Sequence, residues 1–172
     1  MIISELIDPN VRVQKFLNLL DTITENKGLN VQQIVKIEQL RSLPLGTFGR
    51  KWADFLDDNN IQPFTTGIRR KQLHDGVHIL TGYGIDSIGE AEVQAFLLGS
   101  KFTIANLILG LVFLRKIHHN LSMQNSQKQL AWKRIKTAYQ RGCASNFNPD
   151  TWQPEKLWNL PLIDVHKMFS IQ

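Results

Sequence analysis

His74 and His78 stand four residues apart, and positions i and i+4 lie one above the other on a helix, so both imidazoles can aim at one point. Such a pair forms the core of many helical metal sites. Leu73, Val77 and Leu80 run beside it as an apolar stripe, which puts the pair at the edge of a buried face where water is scarce. Asp75 lies about 100° round the same helix from His74. It could serve as an oxygen ligand, a partner to a ligating imidazole or a proton acceptor; a solvated surface acid is the plain alternative. Twelve residues beyond His78 comes Glu90, after the turn Thr81-Gly82-Tyr83-Gly84. The two glycines let the chain reverse, returning the start of the next helix alongside the end of the last with the Glu90 carboxylate toward the imidazoles. A local reading competes: Ser87-Ile88-Gly89-Glu90 matches a capping box, in which Glu90 only reaches back to a backbone N–H. Two nitrogens with one or two oxygens suit Zn²⁺, Mn²⁺ or Fe²⁺, whereas Mg²⁺ favours all-oxygen sites. The four residues together point to a divalent-metal site. His118 and His119 are adjacent, diverge on a helix and read as surface.

The elements that must hold these residues read almost entirely as helices. Asp8-Pro9 signals a helix start, Phe16, Leu17, Leu20 and Ile23 recur on one face, and Gly28 ends the run. Asn30 is placed to cap a second helix through Val31, Ile34, Val35 and Ile37, terminated by Pro44. Thr47 opens a third carrying Phe48, Trp52, Phe55 and Leu56, broken by Asp57 to Asn60 and Pro63. A fourth runs from Thr66 to Leu80 and closes at Gly82 and Gly84. A fifth starts near Ser87 and continues through Phe102–Leu114, with a bend expected at Gly99-Ser100. Ser126 to Arg141 is the sixth, with Leu130, Ile135 and Ala138 inward and Gly142 as its stop. Two short pieces follow, around Trp152–Trp158 and Pro161–Phe169. The expected fold is all-α: a single compact domain over residues 1–172, of about six helices plus short C-terminal pieces.

Composition narrows the partners. The chain has 172 residues, 42% hydrophobic and 20% charged, with a formal charge of +5 and a pI near 9.5. That balance fits an anionic partner such as a lipid phosphate or membrane surface, and equally an ordinary solvated face. Cys143 is the single cysteine, so no internal disulfide can form. The N-terminus MIISELIDPNVRVQKF, with Glu5 and Asp8 early, shows no targeting segment, and a cytoplasmic, bacterial-type protein is expected. Phe102–Leu114 falls short of the roughly 20 apolar residues that span a bilayer, so it reads as a buried helix or one dipping a face into a membrane surface. Lys128, Lys133, Arg134, Lys136 and Arg141 share a helix with Trp132 and Tyr139, but those aromatics read as core and nucleic acid is not the expected partner. A phosphohydrolase of the His-Asp type needs a further histidine upstream, and none precedes His74.

The spacing His74-Asp75-x-x-His78-x11-Glu90 resembles the signature of the coenzyme Q (ubiquinone) biosynthesis protein 4 family. Leu43-Pro44-x-Gly46-Thr47-x-Gly49-Arg50 running into Trp52-Ala53-x-Phe55-Leu56-Asp57 is similar to a second family motif. The ending Trp152 … Trp158-Asn159-x-Pro161-Leu162 is similar to its C-terminal segment, so the resemblance covers about residues 40–172. It implies an all-helical protein whose motif residues His74, Asp75, His78 and Glu90 hold a divalent metal, zinc first, with magnesium, manganese or iron as alternatives. It further implies binding of an isoprenoid lipid or prenylated quinone precursor and support for C1 decarboxylation of a polyprenyl-hydroxybenzoate; a non-catalytic carrier or scaffold is the other reading. Homodimers, contact with other quinone-biosynthesis enzymes and peripheral attachment to an inner membrane are implied as well. Phe96, Leu97, Phe102, Leu107 and Leu111 would line the path of the prenyl tail, and Arg50 and Arg70 would meet an anionic head. Where the family carries bulky residues between the aspartate and the second histidine, this chain has Gly76 and Val77, which implies a roomier, looser helix.

Overall fold

The computed structural model describes residues 22, 25–119 and 123–171. The helix expected from Asp8-Pro9 lies outside them apart from its last turn, where Gly28 takes a positive φ of 62° and its N–H bonds the Glu25 carbonyl at 2.9 Å. Eight α-helices follow among the described residues: α1 (Ile37–Arg41), α2 (Phe48–Asp58), α3 (Arg69–Gln72), α4 (His74–Thr81), α5 (Ser87–Ser100), α6 (Ile104–His119), α7 (Asn125–Ala144) and α8 (Leu162–Phe169). A 3-10 turn at Pro154–Lys156 precedes α8, and the described residues pair in β fashion only at an isolated bridge between Thr47 and Pro161. The all-α expectation holds. No helix among the described residues is long and apolar enough to cross a membrane.

The core divides in two. Phe48, Trp52 and Leu56 of α2, Leu73, Val77 and Leu80 beside and on α4, and Val93, Phe96 and Leu97 of α5 meet Phe147, Trp152 and Val165 in one buried cluster. Thr47 caps α2 as its spacing predicts, accepting from the Arg50 N–H. A second cluster joins Ala91 and Ala95 of α5, Ile117 of α6, and Ala131, Ile135 and Ala138 of α7.

Several elements depart from expectation. The second helix is only α1: residues 29–36 run without helix, because Gln72 supplies the hydrogen bonds a helix would have made for itself. Its Oε1 accepts the Ile34 N–H at 2.9 Å and its Nε2 donates to the Val31 carbonyl at 3.1 Å, while the Val31 N–H bonds Gly67. Val31, Ile34 and Val35 are β-branched, which lowers their helix propensity slightly, and helix begins only at Ile37. The fourth helix breaks at Leu73 into α3 and α4. The expected bend at Gly99-Ser100 is a full stop, with Lys101 extended at φ −157°. Gly142 does not end α7; a Cβ there would strike the Phe96 carbonyl, and one at Gly99 the Tyr139 carbonyl, so these glycines let α5 and α7 cross backbone to backbone. Leu130, expected inward, is 59% exposed, and Ala131 takes its place.

Gly76 does not loosen α4. A Cβ there would overlap the Trp52 ring and stand 2.7 Å from Cη2 of Trp152, so the space left by the missing side chain is filled by two indoles stacked at 6.0 Å. Gly76→Ala should therefore lower stability by about 1–3 kcal/mol through overpacking, read as the urea midpoint. Gln72→Leu removes three hydrogen bonds and strands buried backbone groups, costing about 3 kcal/mol and speeding amide exchange in residues 31–36. Unchanged exchange in that segment would mean Gln72 does not hold it.

Candidate metal centre

The site is built by a reversal. Gly82 ends α4 in the left-handed region at φ 74°, its N–H returning to the His78 carbonyl at 2.7 Å. Four residues later Asp86 caps α5, its Oδ1 accepting from the Ile88 and Gly89 N–H groups at 2.7 and 3.1 Å. The cap is thus Asp86 and not Ser87, which moves Glu90 one place beyond the position a capping box needs. The Glu90 side chain turns instead to the imidazoles. Its Oε2 lies 3.3 Å from Nε2 of His74 and its Oε1 3.4 Å from Nε2 of His78, while the two Nε2 atoms are 3.2 Å apart.

Those edges suit a metal ion. Four ligands set tetrahedrally at about 2.0–2.1 Å from Zn²⁺ would stand about 3.3–3.4 Å apart. His74, His78 and Glu90 are the group among the described residues whose donor atoms cluster closely enough to hold an ion, all within 4.8 Å. Nδ1 of His78 lies 3.1 Å from the Tyr83 carbonyl, which can only accept, so Nδ1 carries the hydrogen and the Nε2 lone pair is turned to the site. Phe55 backs the His78 ring at 5.8 Å. The donor set, its neighbouring imidazoles and the fixed tautomer fit a divalent ion with nitrogen preference.

Electrostatics bind the three groups together. Burial pushes the Glu90 carboxyl up, but hydrogen bonding and charge from His74, with the His78 ring beside it, outweigh it and hold the group at about 2. Burial pushes His74 down; Glu90, with help from Asp75, more than reverses this and leaves it above its usual 6.5. Asp75 is 6% exposed and sits beside the converging atoms without joining them; its Oδ2 is buried with no hydrogen-bond partner. Burial raises its pKa, with the two imidazoles pulling the other way.

The other expected site residues separate. Leu107 and Leu111 of α6 line an apolar groove of about 410 Å³, with Ala91, Ala95 and Leu98 of α5 along its floor and Trp132, Ile135 and Tyr139 of α7 opposite. Trp132 and Tyr139, expected in the core, are 50% and 49% exposed on this wall. Sequence reasoning missed that role; the signal was Ala91 and Ala95, whose small side chains one turn apart leave room above α5. Phe96 and Leu97 do not line the groove but are buried in the first core cluster, since they face the opposite side of α5. Phe102 lies before α6 and is 66% exposed. One helix serves both features: α5 carries Glu90 and, through Ala91, Ala95 and Leu98, the floor of the groove, and Gln94, one turn after Glu90, has its Cβ 3.7 Å from where a side chain on the groove residue Gly110 would begin. Arg50 is engaged by Asp54 at 2.7 Å and the Arg41 carbonyl. Arg70, one turn before His74, faces Asp150 at 3.5 Å and keeps Nη2 buried without a partner.

Residues 21–172 match the sequence model of the family described as coenzyme Q (ubiquinone) biosynthesis protein Coq4. Over 148 residues the chain is 28% identical to the mitochondrial ubiquinone biosynthesis protein COQ4 homolog of Xenopus tropicalis, covering 78% of this chain and 50% of that protein. It is 35% identical over 72 residues to the Bos taurus counterpart, covering 34% of this chain and 27% of that one. The chain spans about half the length, or less, of these curated relatives. Its fold resembles the crystal structure of a protein described as a ubiquinone biosynthesis protein from Nostoc punctiforme, with a TM-score of 0.66 at 18% identity over 92% of this chain and 81% of that one.

The pKa directions fix a pH profile for the metal-free chain. Glu90 is depressed, so its contribution is present above its usual 4.5 and lost as pH falls toward 2. His74 is raised, so its contribution is present below 6.5 and lost as pH rises through its folded value. Melting in a chelator should peak in the mildly acid window between, and Glu90→Gln should flatten both limbs. A variant with the parent profile would show that the pair does not carry the dependence.

Proposed function

The chain belongs to the coenzyme Q (ubiquinone) biosynthesis protein Coq4 family, and on that footing we propose that it holds a prenylated aromatic acid with its head at a divalent ion on His74, His78 and Glu90 and its tail in the groove between α6 and α7. The reaction served is loss of the ring C1 carboxyl. The observation that carries the reading is the triangle of donor atoms with edges of 3.2–3.4 Å, one of them on α5, the helix that also floors an apolar groove. A bound ion supplies Lewis-acid stabilisation of carboxylate or phenolate charge. Zinc is the first choice because two of the three donors are imidazole nitrogens.

The remaining work falls to the chain itself. Asp75, whose buried and unpartnered carboxyl is pushed up in pKa, is suited to hold a proton beside the head and deliver it to the ring carbon that loses CO₂. Arg70, whose Nη1 faces Asp150 at 3.5 Å but whose buried Nη2 has no partner, is better placed than Arg50 as the cation toward an anionic head, since Arg50 is held by Asp54 at 2.7 Å. The groove keeps water from the tail and orients it by apolar contact with Leu107, Leu111 and Leu114. Exposed Phe102, Ile104 and Leu111, with Lys101 and Arg115 nearby in sequence, suit peripheral contact with an anionic membrane, from which such a tail would be drawn. A carrier without turnover is the second reading; the openness of the groove, where Leu111 is 56% and Trp132 50% exposed, favours rapid exchange of a lipid.

Elemental analysis should find one divalent ion per purified chain and little in His78→Ala; equal metal in both would sink the metal reading. Leu111→Asp should keep the metal and lose co-purifying prenyl lipid by mass spectrometry. Release of CO₂ from a prenyl-hydroxybenzoate by the loaded chain supports the lyase, whereas bound lipid with no turnover supports the carrier.

A further inference from the structure

We infer that Arg141, on α7 and far from the motif in sequence, is a positioning residue that fixes the tautomer and orientation of His78 by clamping the reversal between α4 and α5. The metal role of His78 rests on the function proposed above; its fixed ring does not.

His78 is held through its outer nitrogen by the Tyr83 carbonyl at 3.1 Å. That carbonyl belongs to a turn, and a turn holds an acceptor in place only as firmly as it is itself held. Arg141 reaches it twice. Its Nη1 donates to the Thr81 carbonyl at 3.1 Å, at the end of α4, and its guanidinium lies over the Tyr83 ring, 5.0 Å from the centroid. The residues on either side of Gly82, which is in the left-handed region, are therefore tied to the same cation. Arg134, two turns earlier on α7, steadies the other limb: it grips the buried Glu92 of α5 with two bonds of 2.8 and 2.6 Å. Glu92 stands two residues after Glu90, so α7 braces both halves of the metal centre without touching a ligand atom. Nothing in the histidine and carboxylate spacing requires such residues. They are absent from the motif because their work is to keep a backbone oxygen still.

Without Arg141 the Thr81 carbonyl loses a donor and the Tyr83 ring its cation. The Tyr83 carbonyl can then swing away from Nδ1, and His78 becomes free to place its proton on the nitrogen that faces Glu90. A protonated Nε2 cannot ligate, so metal affinity falls although every ligand is present.

The test uses the full chain, metal-free and labelled with ¹⁵N-histidine, with long-range ¹H–¹⁵N correlation reading the tautomer of His78. The wild-type chain should show the Nδ1–H form, and Arg141→Gln a mixture of both. Competition with a chromophoric chelator should show Zn²⁺ binding weakened by about 10–100-fold in Arg141→Gln, the range typical of losing a group that orients a ligand. Arg141→Lys, which can still donate to Thr81, should recover part of that loss. Should Arg141→Gln not fold, Tyr83→Leu removes the ring half of the clamp while keeping the carbonyl, and should give a partial mixture of tautomers. A wild-type His78 in the Nε2–H form overturns the inference, as does a folded Arg141→Gln with a pure Nδ1–H tautomer and parent affinity. If the tautomer shifts as expected but the wild-type chain takes up no Zn²⁺, the clamp stands and the metal reading fails.

Discussion

A Cβ at position 89 would run into the backbone of Gly84, so α5 can begin against the reversal only because Gly89 has no side chain. That close approach decides the geometry of the site. It lets Asp86 cap α5 one residue earlier than the sequence suggests, and it brings Glu90 to within 3.4 Å of both imidazoles. Three ionisable groups gathered so tightly must then answer to one another, and burial settles how. The carboxylate keeps its charge against the cost of desolvation because the imidazoles compensate it, which is the same reason that a divalent cation would be welcome there.

The centre rests on an aromatic base. Beneath α4, Gly76 admits the ring edges of Trp52 and Trp152, and Phe48 and Phe147 complete the aromatic packing, with ring centroids 5.1–6.2 Å apart. Above α5, small residues do the reverse and leave space, giving the groove its floor. The helix that carries Glu90 thus separates a filled side from an open one. Glycine and alanine produce both results, and the difference lies in what arrives to occupy the gap.

Much of this was legible in the sequence. The i, i+4 histidines, the double glycine and a carboxylate twelve residues on predict the converging atoms, and the periodicity of Phe48, Trp52 and Leu56 predicts α2. Failures came where one segment depends on a distant one. Val31 to Ile37 has helical spacing, but the Gln72 amide, which no local pattern announces, bonds the backbone at Val31 and Ile34, and helix begins only at Ile37. Trp132 and Tyr139 look like core because aromatic side chains usually are; their exposure depends on where α6 and α7 diverge above α5. Gly142 looks like a helix stop because its role is a contact with Phe96 that only the folded chain contains.

The placement of the tryptophans also gives the protein its own optical probes. Trp52 and Trp152 are stacked and buried beneath the helix that carries the histidines, whereas Trp132 is half exposed on the wall of the groove. With the partly buried Trp158 replaced by Phe, their emission should therefore fall into separable bands, blue for the buried pair and red for the groove residue. An occupant of the groove would shift the red band and leave the blue one unchanged, so that filling of the tail path can be watched in solution without a label.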